Sequence, residues 1–344
     1  MDLHHLRRDE IFMKFIVIFL CFVCSAEAQG WRYNHHGTKR VLKTILVEQH
    51  GRGNFTSIQA AIDSVPHNHP HWTCIRLAAG VYREKVTINK PYLVLKGSGK
   101  EKTKVVYNDN PNMQLSSTLV VVADNFVAKG ISFINSRNLA EYGGNTNNRQ
   151  AAAAGYIMGD KLSFHRCGFY GVQDTLWDVQ GRHYYHRTTI AGSVDFIFGA
   201  GQSIFEKCVI HVLGGVLPTG QPGYITAHAR GSPSEPSGFV FKECSIVGGG
   251  HAYLGRPWGT YARVLYYNTT MANIVVPQGW DAWFNTANTG KITFAEDKCS
   301  GPGANTSKRV PWEKKLSAEE IQKLTSLNFI NADKWLHAQP INFK

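Results

Sequence analysis

A short internal repeat constrains the fold of this chain more than any other feature of its sequence. The aromatic residues Phe164, Tyr185 and Phe205 recur at intervals of 21 and 20 residues, each within a similar apolar frame. A further copy surrounds Phe241, 36 residues after Phe205, so one repeat carries an insertion. Repeats of about 20 residues are typical of solenoids, in which each repeat forms one coil and contacts only its neighbours.

Short strand-like runs, separated by Gly, Asn and Pro, follow one another from Cys74 to Asn135. No long helical periodicity lies between them, which argues against alternating β/α units. Coils of about 20–24 residues accommodate three short strands each. We therefore predict an all-β fold, a right-handed parallel β-helix.

Two short helices are predicted as caps at the amino- and carboxy-terminal ends of this solenoid. The first lies within Phe55–Val65, and the second opens with the capping box Ser317–Glu320. In the second helix Ile321, Leu324 and Leu327 are expected to form the apolar stripe that packs on the solenoid.

Two aspartates occupy equivalent positions on successive repeats. Asp174 follows Phe164 by ten residues, and Asp195 follows Tyr185 by ten residues. If the coils are parallel strands, the two backbones lie about 4.8 Å apart. Like charge at this distance raises the pKa of one carboxyl group, which separates a proton donor from a nucleophile. Each Asp alone could also be a structural corner residue, and paired carboxylates also cleave glycosidic bonds.

Three other side chains could complete a site around these acids. The amide of Gln173 could donate to a developing oxyanion. Arg256 could pair with a carboxylate and keep it charged, and Trp258 could stack on the face of a sugar.

The composition indicates an acidic partner. The chain of 344 residues carries 37 Lys and Arg against 25 Asp and Glu, a net charge of +12. Such a surface favours nucleic acid, an anionic membrane or an acidic polymer. Because no DNA-reading helix or aromatic-interleaved RNA motif is recognisable, we expect an acidic polysaccharide partner, with no nucleic acid and no membrane.

The amino-terminal residues predict export. Residues 1–28 contain a short apolar run that ends in Ala26-Glu27-Ala28, which indicates a signal peptide, and residues 29–344 then form a single domain. Three acceptor triplets for N-glycosylation, at Asn54, Asn268 and Asn305, agree with a secreted protein. Five cysteines follow residue 28, an odd number that cannot pair completely within the chain.

Four phrases give the chain a resemblance to the plant pectin methylesterases, or pectinesterases. They are Gly80-Val-Tyr82-Arg-Glu84, Gln173-Asp174-Thr-Leu176, Val194-Asp195-Phe-Ile-Phe-Gly199 and Leu254-Gly-Arg256-Pro-Trp258. The resemblance runs from about Val47 to Trp335 and corresponds to the form without the amino-terminal inhibitor-like region.

The resemblance implies a function and a set of roles. Asp195 would be the nucleophile on the methyl ester carbonyl, and Asp174 the acid that protonates the departing methanol. Arg256 and Trp258 would bind the galacturonate chain, with Gln173 and Gln150 in the oxyanion site. The implied protein is a secreted, monomeric cell-wall enzyme that acts on methyl-esterified homogalacturonan, needs no cofactor or metal, and has proteinaceous inhibitors as a further partner class.

Some positions depart from the family pattern. The phrase that contains the first oxyanion glutamine reads Gln150-Ala-Ala-Ala-Ala154 and has one residue more than usual, so without a gap Ala151 would fall on the glutamine position. Thr188 replaces a cysteine that many relatives pair with the equivalent of Cys208, and His228 stands where relatives often have Gln. These departures keep a second hypothesis open, a catalytically weak pectin-binding protein on the same scaffold.

Overall fold

Three parallel sheets, named A, B and C here, make up the molecule. The structure is a computed structural model that describes residues 41–109, 117–142, 144 and 150–341. Successive strands are added to A, B and C in turn, and each strand pairs in parallel with the equivalent strands of the neighbouring coils. Parallel crossovers of this kind are right-handed in nearly all proteins. The predicted right-handed parallel β-helix is confirmed.

The strands are numbered in chain order. Sheet A contains β1 Lys43–Val47, β2 Thr73–Leu77, β5 Leu93–Lys96, β8 Phe126–Lys129, β11 Leu162–His165, β14 Arg182–His186, β17 Gln202–Glu206, β20 Gly238–Lys242, β23 Arg263–Tyr267 and β25 Thr293–Asp297. Sheet B contains β3 Gly80–Tyr82, β6 Thr103–Tyr107, β9 Ser132–Asn135, β12 Gly168–Tyr170, β15 Thr189–Gly192, β18 Val209–Val212, β21 Ser245–Gly248 and β24 Thr270–Met271. Sheet C contains β4 Val86–Ile88, β7 Leu119–Val121, β10 Gly155–Ile157, β13 Leu176–Asp178, β16 Val194–Gly199, β19 Gly223–His228 and β22 Ala252–Pro257.

The repeat aromatics form a continuous stack inside the solenoid. Phe164, Tyr185, Phe205 and Phe241 occupy the same register on β11, β14, β17 and β20. Their rings are stacked with centroids 4.6–5.0 Å apart, and all four side chains are fully buried. The repeat in the sequence therefore corresponds to one aromatic layer per coil, and the 36-residue interval is a coil with longer connections.

A second ladder of small side chains follows each aromatic residue by three positions. Cys208 and Cys244 direct their thiols at the backbone carbonyls of Tyr185 and Phe205, at 3.3 and 3.2 Å. The Thr188 hydroxyl likewise donates to the backbone carbonyl of Phe164, at 3.3 Å. All five cysteines of the described residues are free thiols. Cys208 thus faces a threonine on the preceding coil and forms a weak hydrogen bond in place of a disulfide.

The amino-terminal helix α1, Ile58–Asp63, packs against the first strands with its apolar residues fully buried. Its first turn is held by Glu84, which accepts hydrogen bonds from the backbone N–H groups of Ile58 and Gln59 and from the Ser57 hydroxyl, at 2.8, 3.0 and 2.8 Å. Tyr82 donates to Ala78 O at 3.1 Å. The phrase Gly80–Glu84 therefore fastens the amino-terminal helix to the solenoid.

The carboxy-terminal helices α2 Ala318–Thr325, α3 Asn328–Asn331 and α4 Trp335–Ala338 lie against the outer face of sheet A. The predicted capping box is present, with Ser317 and Glu320 exchanging hydrogen bonds. Leu324 and Trp335 are buried against sheet A. The placement of Leu327 on the same stripe is wrong, because α2 ends at Thr325 and the Leu327 side chain is 38% exposed.

The predictions about domain organisation and export concern the described residues only in part. Every described residue belongs to one compact unit, Thr38–Lys344. The proposed signal peptide, residues 1–28, lies outside the described residues. Within the described residues, no helix combines the length and hydrophobicity needed to cross a bilayer. The side chains of Asn54, Asn268 and Asn305 are exposed.

Candidate active site

The two aspartates lie at the corner between sheets B and C. Gln173 is paired with Val194, and Leu176 with Ile197, so Asp174 and Asp195 occupy the same register on adjacent coils. Both have left-handed backbone conformations, with φ of 60° and 47°. Aspartate tolerates this conformation better than most residues, and it turns the chain sharply into sheet C. The equivalence predicted from the repeat is confirmed.

Asp195 is held in a fixed orientation by its surroundings. Its register with β19 shifts between Val194 and Ile197, a bulge that gives the side chain a direction different from that of a regular strand residue. Asp195 is 8% exposed and accepts two hydrogen bonds from Arg256, from Nε at 2.8 Å and from Nη2 at 2.5 Å. The predicted pairing of Arg256 with a carboxylate is therefore present.

Burial and pairing act on the acid in opposite directions. Burial raises the pKa of Asp195, and the hydrogen bonds and charge of Arg256 oppose that rise without cancelling it. The carboxylate in turn raises the pKa of Arg256 although burial acts to lower it. The result is a desolvated carboxylate beside a permanent cation, an environment in which catalytic carboxylates are often found.

Two aromatic rings enclose Arg256, and a third acid holds the residues that carry those rings. Its guanidinium lies 4.0 Å from the ring centroid of Tyr224 and 3.8 Å from that of Trp283. Asp281 accepts a hydrogen bond from the Tyr224 hydroxyl at 2.8 Å and one from the Trp283 backbone N–H at 2.7 Å. These three residues were missed in the sequence; the phrase Trp280-Asp281-Ala-Trp283 was a signal for two of them, and Tyr224 had none.

A row of aromatic rings extends from the site along sheet C. Trp177 lies one coil from Phe198, and their rings are stacked with centroids 5.3 Å apart. Tyr156 meets Trp177 edge-on at 5.0 Å, and Trp258 lies 6.0 Å from Phe198. Such rings suit the apolar faces of sugar rings. Trp258 directly follows β22, two residues after Arg256, and its predicted contact with a sugar stays a prediction.

The predicted oxyanion residues lie on neighbouring coils. Gln173 is paired across the sheet with Ala151, so Ala151 and not Gln150 shares its register. Thr175 O accepts hydrogen bonds from both Ala154 N and Gly155 N, which absorbs the extra residue of this segment as a bulge. The Gln150 amide oxygen accepts hydrogen bonds from Arg137 at 3.2 and 3.1 Å. The role of Gln150 stays a prediction.

His228, at the end of β19, has a structural role. It is fully buried, and its Nδ1 accepts hydrogen bonds from the backbone N–H groups of Arg230 and Arg263, at 3.4 and 3.2 Å. Burial lowers the pKa of His228 to about 3, so the ring is a neutral acceptor. A glutamine side-chain oxygen could accept the same hydrogen bonds, which explains how the two residues interchange here.

Comparisons with known proteins agree with this arrangement. The family model described as Pectinesterase matches residues 44–333. The chain belongs to the pectinesterase family. It is 51% identical to "Probable pectinesterase 29" of Arabidopsis thaliana over 300 residues, which cover 86% of this chain and 90% of the relative. "Probable pectinesterase 55" of the same plant is 50% identical, with 86% and 91% coverage.

A solved structure extends the likeness to the whole fold. The pectin methylesterase from carrot superposes with a TM-score of 0.80 at 28% identity, covering 92% of this chain and 99% of the carrot chain. Among the described residues of this pectinesterase, no group of three or more His, Cys, Asp or Glu side chains could hold a metal ion.

Proposed function

We propose that this pectinesterase hydrolyses the methyl esters of homogalacturonan in the plant cell wall and releases methanol. The observation that carries the proposal is the buried Asp195–Arg256 pair in register with Asp174, beside a row of aromatic rings. An ionised, desolvated carboxylate attacks an ester carbonyl, and a second carboxyl group one coil away can supply the proton for the leaving group.

The reaction then proceeds in two halves. In the first, an oxygen of Asp195 forms a bond to the ester carbonyl carbon and the carbonyl oxygen becomes an oxyanion. The oxyanion then collapses, the bond from carbon to the methoxy oxygen breaks, and Asp174 protonates that oxygen to release methanol. This leaves an acyl-enzyme. In the second, Asp174, now ionised, takes a proton from water as the water oxygen attacks the acyl carbon. The bond to Asp195 breaks, which restores the Asp195 carboxylate, and the galacturonic acid that is released loses its proton to solvent.

The oxyanion needs donors that are in place before the reaction. We assign this role to the amides of Gln173 and Gln150. In Gln150, hydrogen bonds from Arg137 hold the amide oxygen and therefore fix the direction of its N–H groups. Arg256 keeps Asp195 in position, and Trp258 with the adjacent rings binds the sugar chain. The site of action that follows from this substrate is extracellular.

Methanol release from methyl-esterified pectin tests the proposal. The variant Asp195→Asn keeps the shape of the side chain but removes the nucleophile, so the rate should fall by at least about 10³-fold. Asp297→Asn makes the same chemical change on the outer face of sheet A and should leave the rate unchanged.

Two results would contradict the proposal in different ways. Release of no methanol by the unaltered protein, together with binding of pectin, would favour the pectin-binding alternative. Shortening of the polymer without methanol would indicate a glycoside hydrolase.

A further inference from the structure

A corner of the solenoid remote from the active site carries an unusual alignment of positive charge. On sheet A, Arg76, Lys96 and Lys129 are paired in register on the successive strands β2, β5 and β8. Their neighbours in sequence, such as Ile75, Leu95 and Ala128, are buried in the core. Because side chains alternate along a strand, the three cations point outwards, one per coil and about 4.8 Å apart in backbone terms.

The turns that lead from sheet A to sheet B continue this alignment. Arg166 and Arg187 have left-handed conformations, with φ of 51° and 52°, and their side chains are exposed. Each donates its backbone N–H to the next coil, Arg166 to His186 O and Arg187 to Glu206 O. We call the five residues Arg76, Lys96, Lys129, Arg166 and Arg187 the basic corner.

The basic corner has no internal counter-charge. Among the described residues, none of its five cations forms an ion pair within 4 Å. Glu206, further along the same outer row of sheet A, is engaged by Lys242 at 3.1 Å. The pKa of Lys129 is lowered, first by burial and then by the positive charges of Lys96 and Arg166. The cations of the basic corner therefore repel one another. Like charges on adjacent strands destabilise a sheet unless a ligand neutralises them.

We propose that the basic corner is a second polysaccharide site, which binds de-esterified homogalacturonan, the product of the reaction, outside the catalytic cleft. The product carries one carboxylate on every sugar, and the corner presents one cation or more on every coil. The methyl-esterified substrate is uncharged at those positions and would not be held. The identity of this ligand rests on the proposed function.

The placement allows the corner and the cleft to act on one polymer. Arg166 precedes Asp174 by eight residues, and Arg187 precedes Asp195 by eight residues. Eight extended residues span at most about 28 Å, and sheet B lies between the two corners. The rows therefore run side by side along the solenoid axis. The basic corner then holds a de-esterified stretch of the polymer while an esterified stretch of the same polymer occupies the catalytic cleft.

Binding of de-esterified polygalacturonate, measured by calorimetry, tests the site. The triple variant Lys96→Gln, Lys129→Gln, Arg166→Gln should bind this polymer roughly tenfold more weakly than the unaltered protein, and with a shallower dependence on salt. A matched control, Arg83→Gln, Lys308→Gln, Lys323→Gln, changes exposed cations elsewhere by the same total charge and should lose no more than about twofold.

Two outcomes would overturn the proposal. Equal losses in the two triple variants would mean that only net charge attracts the polymer, and unchanged affinity in the first would mean that the corner does not bind it. Hydrolysis of a short esterified oligogalacturonide, which only the cleft can hold, should be the same in all three proteins. Because the binding experiment supplies the product ready-made, it remains decisive even if the protein released no methanol.

Discussion

At the scale of single residues, two opposing effects set the pKa of Asp195, burial and the bidentate contact with Arg256. Lysine cannot replace this contact, since its ammonium is a point charge that loses one of the two hydrogen bonds and the planar stacking on Tyr224 and Trp283. The site depends on the shape of the guanidinium as well as on its charge.

A pH profile of methanol release measures this balance. Because the pKa of Asp195 is raised and only its ionised form is nucleophilic, activity should fall on the acid side at a pH above the pKa of an ordinary aspartate, about 3.9. In Arg256→Lys the pKa should rise further, so the acid limb should move to higher pH and kcat/KM at neutral pH should fall roughly 10- to 100-fold. An unmoved acid limb would mean that Arg256 does not control ionisation of Asp195.

The oxyanion donor can be assigned by comparing two adjacent positions. If Gln150 donates, Gln150→Ala should lower kcat by about 10²-fold with little change in KM. The control Ala151→Gln places an amide at the position paired with Gln173. If Ala151→Gln raises kcat and Gln150→Ala has no effect, the donor belongs at position 151 and the assignment of Gln150 is wrong.

The sequence predicted the acids of the site better than their surroundings. Asp174 and Asp195 share a repeat, so the interval of 21 residues already placed them one coil apart. Asp281 and Trp283 lie after the last strand of sheet C, and Tyr224 follows a long connection, so the repeat interval does not reveal that Tyr224 and Trp283 lie against Arg256. The one-residue bulge near Ala154 likewise cannot be located from the repeat interval. Pairing with the next coil resumes at Gly155, directly after the bulge, so the later repeats keep their spacing.

At the scale of elements, helix α1 depends on a carboxylate from another part of the chain. Glu84 satisfies two backbone N–H groups in its first turn, and these would otherwise lack partners in a partly buried helix. A motif that resembles a family signature thus serves the fold and does not contact the active-site pair.

Substitution of Glu84 tests this dependence. Glu84→Ala should lower the free energy of unfolding by about 1–3 kcal/mol, measured with urea, because buried donors lose their acceptor. Glu84→Gln keeps one acceptor oxygen and should have an intermediate effect, and Glu101→Ala, at an exposed site, should change stability by less than about 0.5 kcal/mol. Equal effects of Glu84→Ala and Glu101→Ala would contradict the role of Glu84.

The strands were predictable as elements because each coil repeats one pattern of turn residues and buried aromatic or β-branched residues. The carboxy-terminal helices were predictable only in part. The capping box fixed the start of α2, but nothing local signals that the helix ends before Leu327, since that end is set by how α3 packs on sheet A. The end of α2 therefore depends on tertiary contacts, which helix propensity does not reveal.

At the scale of the whole molecule, buried histidines couple stability to pH. Burial lowers the pKa values of His165 and His228 to about 3, so both stay neutral in the folded protein while the unfolded chain takes up protons below about pH 6.5. The pKa of His183 is raised by Asp178 against the effect of burial, but that contribution is already complete below the unfolded-state value. Below that value it therefore does not change with pH and cannot offset the further loss from the two neutral histidines.

Urea unfolding at pH 7 and pH 5 tests this coupling. Each of the two neutral histidines should cost about 2 kcal/mol of stability over that interval. His228→Gln keeps an acceptor for the two backbone N–H groups but cannot titrate, so the loss between pH 7 and pH 5 should shrink by about 2 kcal/mol. An unchanged loss in this variant would contradict the assignment of His228 as a neutral acceptor.

The free thiols along the interior have a practical consequence for handling the protein. Burial raises the pKa of Cys167 and of Cys299 to about 12, so these sulfurs remain protonated and slow to react. Across the described coils, backbone pairing and ring stacking take the place of covalent cross-links. The protein should therefore tolerate reductants and alkylating agents in its surroundings, and it should be producible in a reducing cytosol without loss of its fold.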